Sequence, residues 1–356
     1  MDFAKAFDKV NHSLLVHKLQ YYGVDGRINN WISSFLHNRS QAVVVEGSRS
    51  SIIPVKSGVP QGSVLGPCLF LVYINDLAEQ VASKARLFAD DTLLHRLIAA
   101  ASDHITLQAD LKKLEVWEDK WEMNFHPDKC NIMSVSKRKT VSKHDYSLHG
   151  HILERVESTK YLGVTIQHDL KWDIHIDNIV KKANQTFGIL RRNLKIGSVQ
   201  TKELAYKSLV RPLVEYASTI WDPSEKKHIV KIEAVQRRAA RFVLHRHRNT
   251  SSVGDMLQQL KWPLLEDRRK CARLSMMYKI QNNYVKVDAS ELKPLMQRSR
   301  RTHSKALTRI PCNSNQRLNS FLPRTIREWN ALPEDIVCAP SAASFGSRLQ
   351  RHMFPS

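Results

Sequence analysis

The sequence is short of paired cysteines, of long apolar runs and of acidic charge, and each shortage removes a class of protein. Its 356 residues include five cysteines, Cys68, Cys130, Cys271, Cys312 and Cys338, odd in number, far apart and without a Cys-x-x-Cys spacing. A disulfide scaffold and a zinc knuckle are not expected, and reduced thiols in an intracellular protein are. The opening residues Met1-Asp2-Phe3-Ala4-Lys5 carry no apolar signal core. The longest apolar run, Val64 to Ile74, is too short to span a bilayer and contains Gly66 and Pro67, so it reads as a buried helix. There is no internal repeat and no low-complexity tract.

Acidic residues number 34 against 55 lysines and arginines, a net charge of +21 that favours a polyanionic partner. The excess is concentrated: Lys181 to Thr250 holds 16 basic and 5 acidic residues. With 42% hydrophobic and 25% charged residues the chain has a soluble globular composition, and its length predicts two or three domains.

Hydrophobic spacing predicts a strand end at Asp2 turning into a helix that runs to Gly23, and a second helix over Arg27–Leu36 with Ile28, Trp31, Ile32 and Phe35 on one face. Gln41–Glu46 and Ser51–Val55 read as a hairpin around Gly47-Ser48-Arg49-Ser50. The loop Ser57-Gly58-Val59-Pro60-Gln61-Gly62-Ser63 opens the apolar helix, with Ser63 as its N-cap, and its glycines allow backbone to approach a ligand. Asp90 and Asp91 fall in the tight turn of a short hairpin; neighbouring carboxylates repel unless a hard cation such as Mg²⁺ lies beside them, although most such pairs are solvated turn residues.

Beyond this hairpin, Leu107, Leu111, Leu114, Trp117 and Trp121 mark a helix, and Tyr146–Leu153 and Thr159–Gln167 read as strands. Ile176, Ile179, Ala183, Phe187 and Leu190 form one helical stripe, with Lys181, Lys182, Arg191 and Arg192 largely off it. Ile229, Ile232, Val235, Ala239 and Phe242 form another, opposed by Lys227, Lys231, Arg237, Arg238 and Arg241. The cluster His168, Asp169, Asp173, His175 and Asp177 reads as strand-to-helix turn residues rather than a metal site. Gln297–Arg309 reads as an exposed basic segment.

Asp2-Phe3-x-Lys5-Ala6-Phe7-Asp8, the Ser57–Pro67 loop, Phe88-Ala89-Asp90-Asp91, Asn124-x-x-Pro127-x-Lys129 and Tyr161-Leu162-Gly163 occur in a fixed order. In this the chain resembles the reverse transcriptases of non-LTR, LINE-like retrotransposons of the jockey type, strongly over residues 2–170 and more loosely through Arg211-Pro212-Leu213 to Trp329-Asn330-x-Leu332-Pro333. The resemblance implies an α+β right-hand polymerase. Residues 1–170 would be a palm with an antiparallel sheet and packed helices, 171–250 a helical basic thumb, and 251–356 a helical basic C-terminal region.

It also implies an RNA-directed DNA polymerase that extends a DNA primer on an RNA template from dNTPs, using two Mg²⁺ ions about 3.5–4 Å apart, with Mn²⁺ as an alternative. By resemblance Asp2, Asp90 and Asp91 are the catalytic and metal-binding carboxylates, and Lys129 protonates the pyrophosphate, unless it simply pairs with Asp128. Phe3, Phe7, Pro60, Gln61 and Gly62 would bind the nucleotide, the Phe7 ring excluding a 2′ hydroxyl, while Asp8 caps or pairs locally. Tyr161, Leu162 and Gly163 would grip the primer. Lys181, Lys182, Arg191, Arg192, Lys231, Arg237, Arg238 and Arg241 would track the nucleic-acid backbone, and work in the nucleus is implied.

Relative to the family, the fingers and the strand ahead of the first Asp are expected to be missing, as in a 5′-truncated element. That arrangement would leave Asp2 at a frayed terminus. The alternative is a catalytically inactive remnant that binds nucleic acid through its basic face; incorporation of dNTPs separates the two.

Overall fold

The computed structural model describes residues 1–138, 144–246, 252–296 and 302–355, which divide into two compact units, Met1–Leu170 and Lys171–Ser356. In the first unit Ala6–Asp8 forms a single 3₁₀ turn, and helix α1 (His12–Tyr21) starts afresh at Asn11, whose side chain accepts the Leu14 N–H at 3.1 Å. Helix α2 (Gly26–Leu36) buries Asn29, Ile32 and Leu36. The expected stripe is therefore rotated, and Ile28 and Trp31 face solvent.

Strand β1 (Arg39–Gln41) pairs with β4 (Ile53–Val55), and β2 (Val44–Val45) with β3 (Ser48–Arg49). The turn lies at Glu46-Gly47, both with positive φ, one step earlier than the sequence suggested. Helix α3 (Leu65–Ile74) buries only Gly66, Leu69, Phe70, Tyr73 and Ile74, so the apolar run is not a fully buried helix; Cys68 and Leu71 are exposed. A uniformly apolar run carries no polar stripe to mark its outer face.

Strands β5 (Lys84–Phe88) and β6 (Asp91–His95) form an antiparallel hairpin, followed by α4 (Ala101–Trp121), which buries Leu111, Leu114, Trp117 and Trp121. Strand β7 (Asn131–Ile132) pairs in parallel with β10 (Glu154–Arg155). Tyr146–Leu153 is not one strand but the hairpin of β8 (Ser147–Leu148) and β9 (His151–Ile152), with His149-Gly150 at its turn. Likewise β11 (Ser158–Tyr161) and β12 (Val164–Gln167) flank Leu162-Gly163. The sheet content among the described residues is thus a set of two-stranded ladders, mostly antiparallel, rather than one continuous antiparallel sheet.

The core of this unit gathers Phe3, Val10, Leu15, Leu69, Phe70, Tyr73, Leu114, Trp117, Trp121 and Phe125. Within it Lys18 is almost wholly buried. Its ammonium donates to the Tyr73 carbonyl at 2.5 Å and to Asp76 Oδ1 at 2.7 Å, and lies 3.5 Å from the centre of the Trp121 ring. The carboxylate and the aromatic faces offset the cost of burying that charge.

The second unit is helical: α5 (Asp173–Asn193), α6 (Val199–Ala205), α7 (Ser218–Trp221), α8 (Lys226–Val243), α9 (Val253–Gln259), α10 (Leu265–Gln281), α11 (Asn315–Leu318), α12 (Phe321–Trp329), α13 (Glu334–Val337) and α14 (Ala342–Met353). Helices α5 and α8 meet through their apolar stripes, the Phe187 and Phe242 rings lying edge to face at 5.6 Å. A second core joins α10, α12, α13 and α14 around Trp329 and Phe345.

Between α7, α10 and α12, Asp222 receives Arg269 at 2.6 Å, Arg324 at 3.4 Å and Arg273, which also reaches Glu328 at 2.7 Å. The expected exposed basic segment is corrected in part. Residues 297–301 lie outside the described residues, but His303, Ala306 and Leu307 are buried, and His303 Nε2 contacts the Trp329 carbonyl at 2.9 Å. No helix among the described residues is long and apolar enough to cross a membrane.

His175 is buried beside Trp172 and Trp221, and that burial pushes its pKa down to about 4. An unfolded chain binds its proton near pH 6.5, so between there and about 4 the unfolded state holds more protons and stability falls as the pH drops, by up to about 3 kcal/mol. Denaturant midpoints followed from pH 7 to 4 should show this loss, and His175→Phe should flatten it. An unchanged slope in the variant would refute the assignment.

Candidate active site

The site is built on Met1-Asp2-Phe3. Thr92 and Met1 exchange hydrogen bonds, the terminal ammonium donating to Thr92 O at 2.8 Å and Thr92 N–H to Met1 O at 3.1 Å. Asp2 pairs with Asp91 in an antiparallel bridge. On the opposite edge Phe3 bridges Phe125, His126 N–H donates to Asp2 O at 2.8 Å, and Ala4 N–H donates to Asn124 O at 2.8 Å. Asp2 is therefore not at a frayed end. Its backbone is paired on both edges, which supplies the order the sequence did not promise.

Residues directly opposed across an antiparallel pair project to the same face with Cβ atoms about 4.5–5.5 Å apart. The Asp2 and Asp91 carboxylates thus share a face. Asp90 occupies the turn with Ala89, whose φ is 50°, outside the paired residues of the hairpin. Among the described residues no group of three or more His, Cys, Asp or Glu side chains is gathered so as to hold a metal. The structure brings Asp2 and Asp91 together and does not gather Asp90 into a three-carboxylate cage. The pair that is opposed offers only oxygen donors, which fit a hard divalent cation.

Lys129 Nζ lies 3.3 Å from Asp2 Oδ2. Its partner is the Asp2 carboxylate and not Asp128, whose carboxylate instead lies 3.9 Å from His126 and 3.7 Å from His151. Tyr161, half-buried beside the Leu162-Gly163 turn, has its hydroxyl pKa raised by burial first and by the charge of Asp91 second.

Phe3 is a correction. Its ring is 3% exposed and stacks on Phe125 at 4.2 Å, so its side chain is part of the core and offers no face to a nucleotide. Phe7 is half-buried and stacks on Phe70 at 4.5 Å. Gln61 and Gly62 are exposed, and Gln61 Nε2 donates to Asp8 Oδ1 at 3.0 Å.

The loop bearing them is stitched to residues 7–12. Val59 N–H donates to Phe7 O, Gly58 N–H to Val10 O and Ser57 Oγ to Asp8 O, each at 2.8 Å, and His12 Nε2 meets Gly58 O at 2.8 Å. Ser63 Oγ accepts the Gly66 N–H at 2.9 Å and donates to Pro60 O at 2.7 Å, starting α3. Gly58 has φ +90°, and a Cβ there would lie 2.8 Å from Asp8 Cα. Gly58→Ala should cost about 1–3 kcal/mol in strain and loosen the loop. Gly62→Ala, strained at φ +82° but with open space around it, is the milder comparison in thermal unfolding.

In the second unit Lys181, Lys182, Arg191 and Arg192 are exposed along α5. On α8, Lys231 pairs with Asp177, while Arg237 and Arg238 donate to the carbonyls of Val230 and Ala234 at 3.1 Å. Arg241 is half-buried. Sequence reading overlooked His12 and Glu118, and Glu118 carried a signal: it occupies a core position of the stripe Leu111, Leu114, Glu118, Trp121.

Residues 1–166 match the family described as reverse transcriptase (RNA-dependent DNA polymerase), and this segment of the chain is a reverse transcriptase domain with mixed helices and small antiparallel ladders. That family generally works on nucleic acid with divalent metals. The chain is 30% identical over 295 residues to the RNA-directed DNA polymerase from mobile element jockey of Drosophila melanogaster, covering 75% of this chain and 31% of that protein. It is 30% identical to the probable RNA-directed DNA polymerase from transposon BS (73% and 31% covered) and 27% identical to that from transposon X-element (73% and 30%), both of Drosophila melanogaster. Its homologues are polymerases of non-LTR retrotransposons, and it spans about a third of the length of these curated relatives.

Proposed function

We propose that this chain is the palm, thumb and C-terminal part of an RNA-directed DNA polymerase, joining dNTPs to a primer 3′ hydroxyl on an RNA template. The observation that carries the reading is the Asp2–Asp91 bridge beside the Asp90 turn, within a segment of reverse transcriptase sequence. Asp2 and Asp91 would hold Mg²⁺ from their shared face, with Asp90 as the third carboxylate. Divalent cations held there would supply activation of the attacking hydroxyl and charge neutralisation of the triphosphate.

The other roles belong to side chains near that face. Lys129 holds a proton next to Asp2 and delivers it to the leaving pyrophosphate. The loop with Pro60, Gln61 and Gly62 lies under the incoming nucleotide, kept in place by its bonds to residues 7–12, and Phe7 limits the sugar to deoxyribose. Phe3 acts only through its main chain. Tyr161, Leu162 and Gly163 steady the primer end beside Asp91. Residues 171–250 are the thumb, on which Lys181, Lys182, Arg191 and Arg192 contact phosphates, with Lys231, Arg237, Arg238 and Arg241 as weaker contributors because local partners already occupy most of them.

The test is DNA synthesis by the purified chain on an RNA template annealed to a DNA primer, with Mg²⁺ and dNTPs. Template-dependent extension that Asp90→Asn abolishes supports the proposal. Salt-dependent RNA binding without incorporation would leave only a nucleic-acid-binding remnant.

A further inference from the structure

Resting on the reading of Asp2 and Asp91 as cation ligands, we infer that Glu118, anchored by His149, is a positioning residue that sets the placement of Asp2. Glu118 lies on the buried face of α4 among Leu111, Leu114, Trp117 and Trp121, and of the three carboxylates buried there, Asp110, Glu115 and Glu118, it is the most deeply buried. A carboxylate in such a place is costly unless its oxygens are occupied. Both are: one accepts the Phe125 N–H, and the other lies 2.7 Å from His149 Nε2.

The second anchor is itself fixed. His149 sits at the β8–β9 turn with φ 50°, and its own N–H donates to Glu115 Oε1 at 2.7 Å. The first leads to the site. Phe125 is the residue that bridges Phe3 and stacks on its ring, and His126, next in line, donates to the Asp2 carbonyl. Glu118 therefore holds the Phe125–His126 segment, which borders Asp2 and Phe3 on the edge away from Asp91. A charge-assisted bond to a backbone N–H is about twice as strong as a neutral one, and a buried, fully partnered polar group selects a single arrangement. A displaced Phe125 would shift Phe3, and with it the distance between the Asp2 and Asp91 carboxylates.

The full chain is titrated with Mn²⁺ alone, followed by the electron paramagnetic resonance of the free ion, and kcat and KM for dNTP are measured in primer extension. Glu118→Ala should weaken Mn²⁺ binding about tenfold or more and lower kcat in step, with KM changed far less, as removal of a residue behind a metal ligand does. Glu118→Gln, whose amide can still accept from Phe125 and donate to His149, should recover most of both. A lower thermal midpoint with wild-type Mn²⁺ affinity and kcat in Glu118→Ala would mean a merely structural role and would overturn the inference. Should that variant not fold, His149→Ala removes one anchor alone; weaker Mn²⁺ binding supports the inference and an unchanged affinity rejects it. If Asp2→Asn itself leaves Mn²⁺ affinity unchanged, the reading of the site fails and the inference falls with it, an outcome distinct from Glu118 alone being silent.

Discussion

Primer extension by the Asp2→Asn chain is expected to fall by about three orders of magnitude, because a lost carboxylate ligand weakens charge stabilisation worth several kcal/mol and each 1.36 kcal/mol is about tenfold in rate. The fold should barely notice. Asp2 is a third exposed and its pair with Lys129 lies at the surface, where such pairs contribute about 0–1 kcal/mol. Its place is held by main-chain pairing to residues 91–92 and 124–126, which asparagine keeps. Activity lost at an unchanged thermal midpoint is the expected pattern. A rate within tenfold of the unaltered chain would remove Asp2 from the chemistry.

The largest stability effect is expected in the second unit. Asp222→Ala leaves Arg269, Arg273 and Arg324 around an empty place in the core, with only the partly exposed Glu328 to share among Arg273 and Arg324. Breaking a buried ion cluster by removing one sign costs about 3–5 kcal/mol. The exposed pair Arg317–Glu291 is the contrast, and Glu291→Ala should cost no more than about 1 kcal/mol. Denaturant unfolding compares the two. Equal losses would show that the Asp222 cluster contributes no more than a surface pair.

Where periodicity and turn chemistry act locally, the sequence was readable. The Asp90 hairpin, the α4 stripe and the facing stripes of α5 and α8 follow from short-range spacing of apolar residues. What it hid depends on residues distant in the chain. The burial of His303 is decided by Trp329, the partner of Lys129 is Asp2 rather than its neighbour, and the order of the first three residues comes from Thr92 and Phe125. Tyr146–Leu153 looked like one strand because His149-Gly150 is a weak turn signal, although His149 takes the left-handed conformation there. Which of the two turn carboxylates faces Asp2 was illegible for another reason: adjacency in sequence does not say that Asp91 begins the paired strand while Asp90 stays in the turn.

The segment that carries Asp2 borrows both of its edges from segments around residues 91 and 125, far along the chain from it. Contacts that span so much chain form slowly, since the intervening loop must close before they are rewarded. During synthesis, Asp2 and its neighbours would wait with their edges unclaimed until α4 and the turn after it had emerged. The chemistry of this domain is therefore assembled only once segments far along the chain from its first carboxylate have been made.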